Sequence, residues 1–216
     1  MITLYSYFRS STSYRVRIAL GIKGLAHDLV PVNILKGEQR SAEYLAMNPS
    51  AGVPSLRDHG TLVTQSMAIL EYLEEKYPQP PMLPSGANER AHVRALANII
   101  ACDIHPINNL RVLNYLTGTL GVNEAQKNDW LQHWIMQGLV AFEALLAASP
   151  YTGNFCHDDT PTLADVCLVP QVFNARRFGC DLSALPLIQR ISQHCEALPA
   201  FAAAHPSQQP DAPEGA

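Results

Sequence analysis

Residues 78–86, PQPPMLPSG, carry four prolines and one glycine. Proline has no N–H to give a helix or a central strand, so no regular element runs through this stretch. The chain therefore folds as two units joined here, and the sequence on either side differs in texture.

Before the linker, short β-like runs alternate with helical patterns. Ile2–Ser6 reads as a strand, and Tyr14–Lys23 places Val16, Ala19 and Leu20 on one helical face. His27–Val32 is a second β-like run, followed by a short helix near Ser41–Met47. Pro54–Leu56 and Thr61–Thr64 flank Arg57-Asp58-His59-Gly60, a hairpin turn ending in glycine. Ser66–Tyr77 closes the unit, with Ile69, Leu70 and Leu73 at helical spacing. The order is βαβαββα over residues 1–78, an α/β unit.

After the linker everything reads as helix, from residue 87 to about 205. Val93, Leu96, Ala97, Ile100 and Ile104 form one apolar stripe, and Pro106 is expected to bend the helix that carries it. Further helices are expected over Glu124–Ala148, from Thr162, and over Pro186–Leu198. Thr162-Leu163-Ala164-Asp165 reads as a capping box with Asp in place of Glu or Gln. The polar, proline-rich tail 206–216 is expected to lie extended over the surface or to be disordered.

Composition narrows the class. With 47% hydrophobic and 16% charged residues over 216 positions, the chain has ample material for a core. A net charge of −4 argues against nucleic acid as partner. No run approaches the roughly 20 apolar residues that cross a membrane, and Arg9, Arg15 and Arg17 interrupt any signal peptide. The five cysteines are odd in number, lack a CxxC pair and all lie after residue 101, which disfavours a secreted disulfide framework. A cytoplasmic protein is expected. Cys102 and His105 form a C-x-x-H, but no second pair at metal-ligand spacing follows, so no metal is expected.

An α/β unit, a proline linker and an all-α unit together are similar to the cytosolic glutathione transferases, whose N-terminal domain is thioredoxin-like. The run Ser10-Ser11-Thr12-Ser13-Tyr14-Arg15-Val16-Arg17-Ile18-Ala19-Leu20 resembles the zeta-class signature, usually Ser-Ser-Cys-Ser-Trp/Tyr followed by the same six residues. Asn48-Pro49, Val53-Pro54 and Gln65-Ser66 match that family's other landmarks in the first domain. Cys102–Arg111, Leu168–Val172 and His205–Asp211 resemble the bacterial maleylacetoacetate and maleylpyruvate isomerases. The one departure is Thr12, which stands where the signature has cysteine, so no role of that cysteine carries over.

The resemblance implies a glutathione-binding first domain, a substrate-binding helical domain and a homodimer. A redox enzyme would need cysteine in the loop Arg9–Ser13, and this chain offers only hydroxyls there. The reactive sulfur is then a bound thiol. Ser10, Ser11 and Thr12, at a helix N-terminus, are the candidates for stabilising its thiolate, with Ser11 favoured by motif position. Ser and Thr also cap helices anywhere, so the hydroxyls alone leave both readings open. Val53-Pro54 resembles the cis-proline turn that receives the peptide-like part of glutathione, and Gln65-Ser66 the site of its γ-glutamyl carboxylate. His105 and Asn109 are further candidate cofactor contacts, His105 being equally readable as a helix-bend residue.

The family's substrates are cis-enedioyl dicarboxylates. Thiolate addition makes the double bond a single bond, rotation follows, and elimination gives the trans acid without consuming thiol. Such a site needs cations, and arginine's planar fork suits carboxylates. Arg9, beside the thiol loop, with Arg111, Arg177 and Asn108, is expected to bind substrate; Arg176 competes with Arg177 for its place. Arg15 and Arg17 read as structural or solvent-facing. The leading expectation is a maleylacetoacetate isomerase. The alternatives are a maleylpyruvate isomerase, a broad glutathione transferase that consumes thiol, and a non-catalytic interaction module.

Overall fold

A computed structural model describes residues 1–213, arranged as two compact units. The first comprises Met1–Pro81 together with the C-terminal segment from Glu196; the second is Met82–Cys195.

The first unit is built on a four-stranded sheet. Its strands are β1 (Ile2–Ser6), β2 (His27–Pro31), β3 (Ser55–Asp58) and β4 (Thr61–Thr64), in spatial order β2-β1-β3-β4. β1 runs parallel to β2 and antiparallel to β3, setting Leu4 opposite both Leu29 and Leu56. Alternation along β1 turns Ile2, Leu4 and Ser6 inward. The helices are α1 (Ser11–Ile22), α2 (Ala42–Met47) and α3 (Ser66–Lys76). The expected βαβαββα order is therefore present.

β3 runs further than the sequence suggests. Arg57 and Asp58 are strand residues, and the turn is the pair His59 and Gly60, both with positive φ (46° and 94°). That backbone matches the twist of the flanking strands. Asp58 is fully buried and accepts hydrogen bonds from Tyr72 Oη (2.9 Å), Tyr77 Oη (2.8 Å) and His59 Nδ1 (2.6 Å), with Lys76 Nζ at 3.0 Å. Burial pushes the Asp58 carboxyl up, but these donors outweigh it and hold the group well below the usual carboxylate range.

The second unit contains α4 (Ala87–Asn98), α5 (Leu110–Gly118), α6 (Glu124–Ala148), α7 (Leu163–Arg177) and most of α8 (Pro186–Glu196). The stripe Val93, Leu96, Ala97, Ile100 and Ile104 is buried throughout. Pro106 does more than bend its helix. The backbone widens into a π-helical segment over Ile99–Ile104, tightens to a 3₁₀ turn over Pro106–Asn108, and restarts as α5. His105 N donates to Ile100 O (3.0 Å), the five-residue spacing of a π-turn. Gly138 on α6 admits Ile104 here, since a Cβ at that position would lie 2.3 Å from Ile104 Cγ1. The capping box at Thr162 is present. Asp165 accepts from Thr162 N (2.8 Å) and Thr162 Oγ1 (2.9 Å), and it also anchors Cys156 N (2.8 Å).

The C-terminal tail differs from expectation. α9 (Pro199–Ala204) buries Phe201 and Ala204 and packs on α1, where Gly21 allows Ala200 to approach. A 3₁₀ turn follows over Pro206–Gln208, Pro206 is buried, and Gln209 Nε2 donates to Ala203 O (2.9 Å) and His205 O (3.0 Å). Apolar residues inside a polar-looking sequence, and a glutamine satisfied by backbone carbonyls, hold the segment in place. Residues 214–216 of the expected tail lie outside the described residues. No helix among the described residues is long and apolar enough to cross a membrane.

Candidate active site

Strand β1 delivers the chain into a tight turn, in which Ser10 N donates to Tyr7 O (3.0 Å), and α1 begins at once. Ser10 is its N-cap, accepting from Ser13 N (3.2 Å). The first turn of α1 contains no acidic residue of its own to neutralise the positive end of the helix dipole. Ser11 is the first helical residue and is 5% exposed.

The three candidate hydroxyls are not equivalent. Thr12 Oγ1 donates to Val53 O (2.9 Å) and lies 2.8 Å from Ser10 Oγ. A hydroxyl has one proton, so Thr12, having given its own to Val53, must accept from Ser10. The chain Ser10→Thr12→Val53 commits both protons internally. Ser10 and Thr12 thus serve as cap and brace.

The brace reaches the turn the sequence singles out. The Val53–Pro54 peptide bond is cis and Pro54 is buried. Behind the turn, Gly52 O accepts from Tyr44 Oη (2.7 Å) and Asn48 Nδ2 (2.9 Å), and both side chains also reach Ser55 Oγ (3.0 and 3.1 Å). Burial pushes the Tyr44 hydroxyl above its ordinary range, which keeps it a donor.

At the start of α3, Gln65 is exposed with φ +72°, a conformation that costs a non-glycine residue about 1–3 kcal/mol. Ser66 is buried, and its Oγ accepts from Arg15 Nη1 (3.2 Å). Because Arg15 can only donate, the Ser66 proton points elsewhere, and a guanidinium buried to 1% exposure adds positive charge at this helix N-terminus. Arg15 and Arg17 are both buried, so neither faces solvent as the sequence reading allowed. Arg17 is lowered to about 10 by burial, against the opposing influence of Tyr14 and Asp211, and stays charged at neutral pH. Its signal in the sequence was its place inside the run Tyr14–Leu20, every residue of which is buried. Arg9 is half-buried, its guanidinium 5.8 Å from the Phe8 ring centroid.

In the second unit, His105, Asn108, Asn109 and Arg111 lie where the π-turn gives way to α5. Asn109 caps α5, accepting from Arg111 N (3.1 Å), and its Nδ2 lies 3.4 Å from His105 Nε2. Both polar side-chain atoms of Asn108 are buried and without a hydrogen-bond partner among the described residues. Arg111 is exposed on the first turn of α5. Arg176 and Arg177 are both exposed at the end of α7, and the Arg177 guanidinium lies 4.3 Å from the Phe178 ring centroid.

Residues 1–75 match the family described as Glutathione S-transferase, N-terminal domain. A protein of Vibrio cholerae named a probable maleylacetoacetate isomerase is 49% identical over 98% of both chains. A solved holo structure of a maleylpyruvate isomerase, described as a bacterial zeta-class glutathione S-transferase, superposes with a TM-score of 0.96. It is 48% identical over 98% of this chain and 100% of the other.

The chain belongs to the zeta-class glutathione transferases.

A maleylacetoacetate isomerase from Methylobacterium extorquens, solved with malonate and glutathione bound, is 39% identical with a TM-score of 0.95, covering 98% of this chain and 99% of its own. The zeta-class relatives are thus named for two maleyl substrates. The first unit of this chain fits glutathione on its own geometry: a hydroxyl at a helix N-terminus whose first turn has no acidic residue, a braced turn presenting the Val53 backbone, and a serine whose proton a buried arginine leaves free for an anion.

Proposed function

We propose that this zeta-class member is a glutathione-dependent cis–trans isomerase of maleyl dicarboxylates, converting maleylacetoacetate to fumarylacetoacetate. The observation that carries the reading is the commitment of the Ser10 proton to Thr12 and of the Thr12 proton to Val53, beside a third hydroxyl at the dipole end of α1. Bound glutathione supplies a thiolate that adds reversibly to the activated alkene and allows the former double bond to rotate.

Ser11 donates its hydroxyl proton to the sulfur and holds it as the anion. The Val53 backbone N–H receives the cysteinyl part of the cofactor, while Gln65 and Ser66 receive the γ-glutamyl carboxylate. His105 and Asn109 are proposed as further cofactor contacts. Arg9, Arg111 and Arg177 act as carboxylate ligands, and Asn108 offers its amide to the substrate. A preorganised cation stabilises negative charge most where water is excluded, so the half-buried Arg9 is assigned the charge developing nearest the sulfur. Arg111 and Arg177, both exposed, are assigned the carboxylates of the free acid. The first unit is the glutathione domain and the helical unit the substrate domain, and the working form is a cytoplasmic homodimer, a reading supported by family membership.

Maleylpyruvate is the second candidate substrate, favoured by the 48% identity to a maleylpyruvate isomerase. The test is turnover of the two acids in parallel, with glutathione present and absent. Dependence on glutathione without its consumption supports the proposal, and the larger kcat/KM selects the substrate. Turnover of neither acid overturns it.

A further inference from the structure

The turn that leads from β1 into Ser10 and Ser11 is held by residues from the far end of the chain. Between β1 and the Ser10 cap, Phe8 N and the Phe8 carbonyl have no partner in the sheet or in α1, and buried backbone groups require one. Arg17 and Asp211 supply them.

Arg17 Nη2 donates to Phe8 O (2.9 Å), and Nη1 donates to Ser6 Oγ (3.1 Å) and, at 3.5 Å, to Tyr7 O. On its other edge, Nε donates to Ala204 O (3.0 Å), the last residue of α9. One planar fork therefore ties the end of β1 to the C-terminal helix. Asp211 completes the tie, its Oδ2 accepting from Phe8 N (2.8 Å). The Asp211 Oδ1 is buried without a hydrogen-bond partner among the described residues. Burying a carboxylate oxygen in that way is costly, and the Phe8 N–H together with the Arg17 charge offsets that cost. Tyr14 and His205 pack edge to face beside this tie, with ring centroids 6.1 Å apart.

From these contacts we infer that residues 199–211 are a working part of the thiol site, with Arg17 and Asp211 as positioning residues that fix Phe8, and through it Arg9 and Ser10, at the start of α1 where Ser11 lies. The inference rests on the glutathione reading of that loop for its catalytic consequence, but not for the clamp itself. Neither residue touches substrate. Their effect is to hold the Ser11 hydroxyl where it meets the sulfur.

The test pairs Asp211→Ala with Asp211→Asn, whose side-chain oxygen can still accept from Phe8 N. Amide hydrogen exchange on the protein without glutathione reads the clamp directly. In the wild-type chain the Phe8 amide should be protected like those of β1. In D211A the Phe8, Arg9 and Ser10 amides should exchange at least about tenfold faster, with D211N restoring protection. With saturating glutathione, D211A should lower kcat about tenfold while the KM for the maleyl acid stays within about threefold, and the absorbance of bound thiolate should fall at fixed pH. D211N should recover both.

A wild-type Phe8 amide that exchanges at the rate of an open loop overturns the clamp whatever the variants do. So does a D211A protein with unchanged exchange, or a D211N protein that restores nothing. If D211A does not fold, a chain ending at Pro210 replaces it, and the wild-type exchange result still decides. Faster exchange with kcat within twofold of wild type overturns the catalytic half. A protein that turns over neither maleyl acid defeats the functional reading alone, and the clamp is then judged on exchange and on the thiolate absorbance.

Discussion

Thr12 Oγ1 donates to the carbonyl oxygen of Val53 at 2.9 Å, tying the first turn of α1 to the cis-proline turn. The zeta-class signature has cysteine at this position, a much weaker hydrogen-bond donor than a threonine hydroxyl. Here the residue braces the first turn of α1 against the Val53–Pro54 turn. Thr12→Val keeps the shape and removes the bond, and a neutral hydrogen bond contributes about 0.5–1.5 kcal/mol. The expected result is a rise of about threefold to tenfold in the glutathione dissociation constant, with the pKa of the bound thiol unchanged. Calorimetric titration and thiolate absorbance against pH check the two halves.

Ser11→Ala should behave in the opposite way. A hydrogen bond to a charged group contributes about 1.5–3 kcal/mol, which corresponds to about one to two units in the pKa of the bound thiol. The thiol pKa should rise by that amount and kcat at neutral pH should fall about tenfold or more, while glutathione affinity changes little. If Thr12→Val shifts the thiol pKa and Ser11→Ala does not, the roles assigned to the two hydroxyls are reversed.

Ser66→Ala removes the hydroxyl that Arg15 leaves free to donate. Loss of one bond to a carboxylate predicts a glutathione KM raised about tenfold or more, with kcat at saturation near wild type. Glutathione lacking its γ-glutamyl carboxylate should bind wild type and Ser66→Ala alike. Unequal binding of that analogue would show that Ser66 acts elsewhere.

Arg111→Ala and Arg177→Ala should raise the KM for the maleyl acid, by about tenfold or more each, because an arginine–carboxylate bond is charge-assisted. The glutathione KM should not move. Arg176→Ala is the control from the neighbouring position and should leave both constants within about twofold.

The Asp58 cluster predicts the acid limb of stability. Its carboxyl is held below the unfolded value of about 3.9, so its contribution is fully present above that value and is lost as pH falls through the lower folded value. Asp58→Asn should lower the thermal midpoint by several degrees at pH 7, where losing such a partner costs about 1–3 kcal/mol. The gap between variant and wild type should narrow as pH falls below about 4. A gap that stays constant from pH 7 to pH 3 would contradict the assignment.

Much of this architecture can be read from local pattern. β1 and α6 follow the expected ranges because each is bounded by clear signals, and α6 opens on an asparagine cap with Gln126 completing the box. The capping box at Thr162 and the landmark Val53-Pro54 are likewise local. What the sequence hides is tertiary. Asp58 looks like a turn residue until Tyr72, Tyr77 and Lys76 are seen to satisfy it. The π-turn at Ile99–Ile104 leaves the apolar stripe unbroken, so periodicity does not reveal it. Ser10, Ser11 and Thr12 are three similar hydroxyls in sequence, and only the Val53 carbonyl, 41 positions away, singles out Thr12 as a brace. The tail reads as extended or disordered because its anchors, Phe8 and Arg17, lie near the opposite end of the chain.

Glutathione-dependent isomerisation is tested most directly by following maleylacetoacetate and maleylpyruvate through loss of their cis-enedioyl absorbance, with free thiol titrated alongside. Isomerisation that requires glutathione and leaves its concentration unchanged over many turnovers is the expected result. Stoichiometric loss of thiol, or equal rates with glutathione absent, would contradict it.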